Sequence, residues 1–322
     1  MDYSLPRHVL HLFTAFCFCF GFVALSAHPA VAAGETITFP GTPLQTVIGF
    51  TDSLAPSGSN TGKSNSLSGN KVTVQSGGTV PGVVTGAINT LDSDKVTGNQ
   101  VFISGGTANG AAGGWAENNA GSATATGNSV TINGGTVNTR DVLGARAEST
   151  TGNAEASNNS VTINNGTLGK GAIGGEAVSN AGDAKASGNS VTFSNSTAEG
   201  VAGGWAWVES GTGNATASDN RVIINGGTVN LRDVLGARAE SEGSGNATAS
   251  NNSVTINNGT LNKDVIGGEA VSNAGSATAT GNSVTISGGS VNDVIGGESI
   301  AKRMMQFLPF AHSRGIWRIE TS

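Results

Sequence analysis

Few residues of this chain could take part in recognition or catalysis, and those few are regularly spaced. Tryptophan, arginine and glutamate recur at intervals of about thirty residues, and the trio occurs twice, as Trp115, Arg146, Glu176, Trp205, Arg238 and Glu269. Exposed Trp and Arg are typical anchors of binding interfaces. They can also stabilise one another through Trp–Arg cation–π contacts and Arg–Glu ion pairs. This Trp/Arg/Glu column is therefore a candidate ligand-binding ridge, although a row of stabilising surface contacts explains it more simply.

Other residue types with catalytic or metal-binding chemistry are scarce. The cysteines and histidines all lie outside the repeats described below, at Cys17, Cys19, His8, His11, His28 and His312. The repeats therefore offer no Cys nucleophile, no His base and no His or Cys metal ligand. Aspartates recur at one repeat position and could hold a cation between rungs, but turn chemistry explains them more simply; they are Asp141, Asp233, Asp264 and Asp293. The sequence predicts no catalytic residue, no cofactor, no metal site and no enzyme activity.

Glycine-rich segments are the remaining candidate for ligand chemistry. Ser104-Gly-Gly and Ile173-Gly-Gly are interpreted as turns. They do not match phosphate-binding loops, because neither a helix nor a Lys-Ser/Thr pair follows them.

Composition limits the fold and the partners. The chain has 322 residues, of which 50 are Gly and 12% are charged, with a formal net charge of -6. It is too Gly-rich for an ordinary globular domain, yet its Val/Ile pattern is too regular for a disordered one. This balance argues against nucleic acid as a partner, because phosphate binding needs clustered Lys and Arg.

One sequence pattern organises most of the chain. It is exemplified by Asn128-Ser-Val-Thr-Ile132, and its leading asparagines are Asn70, Asn99, Asn128, Asn159, Asn189, Asn220, Asn252 and Asn282. In each copy Val lies two residues after Asn, and Val, Ile or Phe lies two residues further on. This alternation predicts a strand with one buried face. A Gly or Asn pair, which accepts positive φ, then predicts a turn in most copies.

Two further strands are predicted in each repeat, exemplified by residues 141–147 and by the small residues 214–217. No single copy buries its apolar face, but stacked copies do. The sequence therefore predicts an all-β fold: a single parallel β-helix, or solenoid, of about eight three-stranded coils of about thirty residues. At a rung spacing of about 4.8 Å, the asparagines form a ladder in which each side-chain amide donates to the next.

Strand parity predicts the direction of the Trp/Arg/Glu column. Leu143, Ala145 and Ala147 are expected to share one face of their strand, with Arg146 on the other. If the Leu/Ala face is the core, the column runs along the exposed outside of the solenoid. Trp207 is expected on the same face as Trp205.

The regions flanking the repeats differ from them in composition. Residues 1–33, a charged start followed by an apolar run and small residues, predict a secretory signal peptide. Residues 34–67 are interpreted as an irregular N-terminal cap with a Ser/Gly-rich lead-in, which covers the first rung. The β-helix repeat domain is predicted at 68–299, and residues 300–322 form a non-repeat tail that is read either as a short helical cap or as foreign residues from a shifted reading frame.

Together, the predicted signal peptide, the cysteine-free repeats of the form Gly-Asn-Ser-Val-Thr-Ile-Asn-Gly-Gly-Thr-Val and the following Val-Ile-Gly-Gly resemble the passenger region of a Gram-negative autotransporter, over residues 1–299. The resemblance implies a right-handed β-helix carried across the outer membrane by a C-terminal β-barrel translocator. Too few residues follow residue 300 to form such a barrel, so we expect a passenger without its translocator. The Gly-Asp-Ser-Gly motif of the serine-protease passengers is absent.

On this resemblance we expect a surface-exposed or secreted passenger that acts as a structural or adhesive protein in cell adhesion, aggregation or biofilm formation. Expected partners are glycans or proteins of host-cell or bacterial surfaces, or other copies of the chain. The expected location is the cell surface, the outer membrane or the extracellular space, or the periplasm if the translocator is missing. Two alternatives stay open: a carbohydrate-active β-helix enzyme (lyase or hydrolase), and a trimeric autotransporter head adhesin, whose repeats the Ala-Thr-Ala-Ser strings resemble.

Overall fold

The computed structural model describes residues 36–39, 47–51, 67–89 and 95–302, with side chains from residue 67 onward. The predicted signal peptide and all but the first residues of the predicted tail lie outside the described residues. Within them the fold is all-β, and every strand pairing is parallel. No helix in the described part of the chain is long and apolar enough to cross a membrane.

The strands stack into a solenoid, as the repeats predict. They form one sheet of 23 strands and one of seven. Equivalent asparagines in neighbouring rungs are 29 to 32 residues apart in sequence, so one coil takes about thirty residues. The parallel β-helix of about eight coils is therefore confirmed.

The first ladder, which we call the valine ladder, contains the Asn-x-Val-x-Ile strands. Its strands are Thr36–Phe39, Lys71–Val74, Gln100–Ser104, Ser129–Asn133, Ser160–Asn164, Ser190–Ser194, Arg221–Val229, Ser253–Leu261 and Ser283–Ile286. The inward Val and Ile side chains stack in register, as in Val161 opposite Val191 and Ile163 opposite Phe193. They form one continuous core, which explains why the alternation survives in every copy.

The middle of each coil carries one more strand segment than the sequence predicts. Short strands follow the turn in three coils, at Thr136–Val137, Thr167–Leu168 and Ser196–Ala198. In most other coils this segment is continuous with a neighbouring strand, and in the last described coil it is reduced to the single bridge residue Ser290. A coil thus has four segments rather than three. The sequence does not predict the fourth, because a segment of two residues is too short to show periodicity.

The next ladder, the tryptophan ladder, carries the Trp/Arg/Glu column. Its strands are Val47–Thr51, Thr79–Asn89, Thr107–Asn118, Val142–Ser149, Ala172–Ser179, Val201–Val208, Val234–Ser241, the pair Val265–Ile266 and Glu269–Ser272, and the pair Val294–Ile295 and Glu298–Ala301. The coil closes through the alanine ladder, the seven-stranded sheet of Val96–Thr97, Ala123–Thr126, Ala154–Ser157, Ala184–Ser187, Ala215–Ser218, Ala247–Ser250 and Ala277–Thr280. Its inward alanines form a second, narrower core.

The asparagine ladder is present. Each Asn Nδ2 donates to Oδ1 of the next Asn at 2.8 to 3.1 Å, from Asn70 to Asn282. The same Oδ1 accepts the backbone N–H of the preceding Asn, as from Asn128 to Asn159 at 2.9 Å. The amides are inside the coil, and Asn159 is fully buried.

Between the two cores, a pair of small residues in each coil lets opposite sides of the coil approach closely. A Cβ added at Gly144 would collide with the carbonyl oxygen of Gly174 and with the backbone of Ser160, which crosses the coil at that point. A Cβ added at Gly175 would collide with the side chain of Asn189. The interpretation of Ile173-Gly-Gly as a turn was therefore wrong: both glycines lie inside the strand Ala172–Ser179, where close approach of backbone and Asn side chain leaves no room for a larger residue.

Part of the predicted N-terminal cap is regular. Thr36–Phe39 pairs in parallel with Lys71–Val74, and Val47–Thr51 pairs with the strand Thr79–Asn89. These segments extend two of the ladders by one rung beyond the first complete repeat, because their backbone continues the same parallel hydrogen-bonding pattern.

Candidate functional site

The Trp/Arg/Glu column is one continuous stack. Trp115 lies opposite Arg146, and Arg146 lies opposite Glu176. Glu176 in turn pairs with Trp205, which begins the second trio of Trp205, Arg238 and Glu269. Glu298 follows Glu269 in the next rung, where the trio order would place a third Trp.

The column faces away from the two cores, but the parity that led to this prediction was partly wrong. Ala145 and Ala147 point into the alanine core, as expected. Leu143 does not join them, since it belongs to a separate outer cluster that contains Trp205. Gly144 and Ala145 both face inward, so the alternation slips by one residue and places Leu143 and Arg146 on the same outer side.

Four of the six column residues are buried rather than exposed, which corrects the second expectation, while Arg146 and Glu176 are half-buried. Trp115, Trp205, Arg238 and Glu269 have 4 to 7% of their surface accessible. An outer apolar strip covers their flank, formed by Ala112, Leu143, Ile173, Ala202, Leu235 and Ile266. Strict alternation could not predict this strip. In an alternating strand, residues three positions apart face opposite sides, whereas here the strip residue and the column residue, three positions apart, both face outward.

Side-chain sizes in the strip and the column are matched rung by rung. Trp rungs carry Ala three residues earlier, as in Ala202 before Trp205; Arg rungs carry Leu, as in Leu235 before Arg238; and Glu rungs carry Ile, as in Ile266 before Glu269. The same three combinations occur in the first trio. A small residue beside the large indole and a larger one beside the shorter Glu keep the outer packing even.

The predicted contacts between neighbouring rungs are confirmed. The guanidinium of Arg146 lies 5.2 Å from the Trp115 ring centroid, and that of Arg238 lies 5.6 Å from the Trp205 centroid. Arg146 pairs through Nη1 with Glu176, and Arg238 pairs through Nη1 with Glu269 Oε2 at 2.7 Å. Each arginine thus joins the rung before it to the rung after it.

Two further carboxylates complete these ion pairs, and sequence reasoning missed both. The Nε atoms of Arg146 and Arg238 donate to Glu148 Oε2 and Glu240 Oε2, each at 3.0 Å. Their position two residues after the arginine, on the same face of the strand, is a signal from which they could have been predicted.

Burial determines the electrostatics of the column. Burial alone disfavours the charged guanidinium, but the carboxylates of Glu269 and Glu240 outweigh it and raise the pKa of Arg238. In the same way, burial opposes the charge of Arg146, but Glu176 and Glu148 outweigh it and raise the pKa of Arg146. Burial raises the pKa of Glu269 to about 7 against the opposing effect of Arg238, and the carboxylates of Glu298 and Glu240 contribute to the rise. The arginines stay charged, whereas Glu269 titrates near neutrality.

Two of the recurring aspartates accept hydrogen bonds between neighbouring rungs. Asp141 Oδ1 accepts the backbone N–H of Gly171 at 2.6 Å, and Asp233 Oδ1 accepts that of Asp264 at 3.1 Å. Burial, and then the charge of Asp264, raise the pKa of Asp233. Among the described residues no group of three or more His, Cys, Asp or Glu side chains is placed to hold a metal ion.

A scan of the chain against protein-family models finds no match, and searches of curated proteins and of solved structures find none either.

Proposed function

We propose that this chain is an exported passenger of the autotransporter type, which serves as a structural or adhesive rod at the cell surface. The observation that carries the proposal is the continuous parallel solenoid, locked along its axis by the buried asparagine ladder. Such a stack is extended, resists local opening and presents long lateral surfaces, which suits a rod that projects from a cell. The sequence resemblance supplies the assignment to autotransporters.

Two alternatives rank behind this proposal. A carbohydrate-active enzyme needs carboxylates that are available to the substrate, whereas Glu176 and Glu269 are engaged by arginines one rung away. A trimeric head needs contributions from three chains, whereas both apolar cores of this solenoid are closed by a single chain.

The proposal is tested in two steps. Residues 1–33 are fused to a reporter enzyme that is active only after export, and we expect activity that deletion of the apolar run abolishes. Residues 34–322 are then displayed on a non-adherent Gram-negative strain through a heterologous translocator barrel, with the barrel alone as control. We expect cell aggregation or retention on surfaces at matched display levels.

Equal behaviour of the displayed chain and the empty barrel would overturn the adhesive function. Turnover of a polysaccharide by the purified chain would favour the enzyme instead. Light scattering after size exclusion should give the mass of one chain, and a mass of three chains would favour the trimeric head.

A further inference from the structure

Asparagine followed directly by glycine occurs five times in the chain, at Asn109, Asn133, Asn165, Asn225 and Asn258. Glycine has no side chain to shield its own backbone nitrogen, so that nitrogen can attack the side-chain carbonyl carbon of the preceding asparagine. The attack requires the two groups to lie side by side. It also requires that neither group is held elsewhere by a hydrogen bond, and the five pairs differ in this respect.

The pair of Asn258 and Gly259 meets both requirements. The Gly259 N–H donates to Asn258 Oδ1 at 2.9 Å, so the carbon that carries this oxygen, Cγ, lies beside the glycine nitrogen. Among the described residues, the Asn258 side chain makes no other hydrogen bond. Asn258 is exposed, so water reaches it. The register between Arg221–Val229 and Ser253–Leu261 shifts on both sides of Asn258, which therefore lies at an irregularity of the valine ladder.

The other four pairs are held by neighbouring rungs. In two of them the glycine N–H is donated to the next rung, from Gly134 to the carbonyl oxygen of Asn164 at 2.8 Å and from Gly166 to Ser196 Oγ at 3.0 Å. In the other two the asparagine side chain is held, Asn109 Nδ2 by the carbonyl oxygen of Pro81 and Asn225 Oδ1 by Nδ2 of Asn257 at 2.7 Å. Attack in any of these four turns must first break a hydrogen bond, which slows it.

We infer that Asn258 is a site of spontaneous deamidation, and that its modification loosens the coil stacked on it. The Gly259 nitrogen gives its proton to water and bonds to Asn258 Cγ. The bond from Cγ to Nδ2 breaks, and Nδ2 takes a proton back from water and leaves as ammonia, so that a cyclic imide remains. One water molecule then opens the imide. Cleavage between the nitrogen and Cγ gives aspartate, and cleavage between the nitrogen and the main-chain carbonyl carbon gives isoaspartate.

The last described coil is hydrogen-bonded to both sides of this turn. Ser287 N–H donates to the carbonyl oxygen of Ile256 at 2.8 Å, and Ser290 N–H donates to that of Gly259 at 2.7 Å. Leu261 N–H donates in return to the carbonyl oxygen of Ser290 at 2.8 Å. In isoaspartate the main chain runs through Cβ and Cγ, which inserts one methylene between Ile256 and Leu261. The partners on the last coil then no longer match their register, and the coil is held less firmly.

Peptide mapping by mass spectrometry tests the site. The purified chain is incubated at mildly alkaline pH, once folded and once in denaturing urea, and each Asn-Gly peptide is followed for conversion of the amide to a carboxylate. In the folded chain we expect Asn258 to react at least about fivefold faster than Asn133 and Asn165, the factor that one net hydrogen bond supplies. In urea the pairs should react at similar rates. Conversion of Asn258 in the folded chain no faster than that of Asn133 and Asn165 would overturn the inference.

Hydrogen exchange before and after the incubation tests the consequence. We expect the amides of Leu261, Ser287 and Ser290 to exchange faster in the incubated chain than in the fresh one. The control is Asn258→Gln, which removes no hydrogen bond to another rung and whose longer side chain closes the ring more slowly; its exchange should not change on incubation. Asn258→Asp carries the new charge without the added methylene and should have a smaller effect than incubation. Unchanged exchange in a converted wild-type chain, or an equal change in incubated Asn258→Gln, would overturn the loosening.

Discussion

The asparagine ladder allows a stability change to be worked out bond by bond. Asn159 Oδ1 accepts the backbone N–H of Asn128 at 2.9 Å and its Nδ2 at 3.1 Å. Asn159 Nδ2 donates to the carbonyl oxygen of Ala125 at 3.0 Å and to Asn189 Oδ1 at 3.1 Å. Asn159→Ala removes all four bonds in a fully buried place.

The cost follows from which groups lose their partners. The buried backbone N–H of Asn128 loses its side-chain acceptor, at about 1–3 kcal/mol, and each of the other three bonds contributes about 0.5–1.5 kcal/mol. We therefore expect Asn159→Ala to lower the free energy of unfolding by about 3–7 kcal/mol, a large part of the 5–15 kcal/mol typical of a folded domain.

The control is Asn164, five residues further along the chain, at the end of the strand that begins just after Asn159. Asn164 Nδ2 donates to Asn133 Oδ1 at 3.0 Å on the outside of the solenoid, so Asn164→Ala should change stability by less than about 0.5 kcal/mol. Urea titrations followed by far-UV circular dichroism measure both variants, and hydrogen exchange shows whether opening is confined to the altered rung, as a stack of neighbour-coupled repeats permits. A loss in Asn159→Ala no larger than in Asn164→Ala would refute the ladder as a main source of stability.

Three further predictions concern the Trp/Arg/Glu column and the close backbone approach at Gly144. Arg238→Leu leaves Glu240 and Glu269 buried without their partner, so it should lower the free energy of unfolding by about 3–5 kcal/mol in the same titrations. The control Lys185→Ala removes an exposed pair with Glu155 and should lower it by less than about 0.5 kcal/mol. Equal effects of the two substitutions would contradict the burial argument. The folded state raises the pKa of Glu269 from 4.5 to about 7, so protonation of Glu269 stabilises the fold; this contribution is complete below pH 4.5 and is lost as pH rises through 7. We therefore expect the urea midpoint to depend less on pH over that window in Glu269→Gln than in the wild type. An equal pH dependence in both proteins would contradict the prediction. Gly144→Ala should prevent normal stacking, since its Cβ meets backbone on two sides, while Gly296→Ala, whose nearest neighbour is 3.8 Å away, should retain the wild-type circular dichroism spectrum.

The sequence predicts the parts of this fold that repeat with a fixed period. The Asn, Val and Ile positions recur in every copy, and each forms a stacked column inside the coil. Register follows directly, because a slip of one residue would turn the whole apolar set outward. The trio of Trp, Arg and Glu is equally visible, and so are the contacts between its neighbouring rungs.

The outer side of the coil could not be predicted in the same way. The path of the chain changes at Gly144, where backbone from across the coil leaves no room for a side chain. That contact joins residues from different strands, so no alternation within one strand reveals it. Without it, Leu143 is assigned to the core and the column appears exposed.

The packing of the column changes where function should be sought. Trp, Arg and Glu are each matched in size to the residue three positions earlier, and each arginine is held by two carboxylates. These features account for the column as part of the outer packing, so its regularity alone does not indicate a ligand.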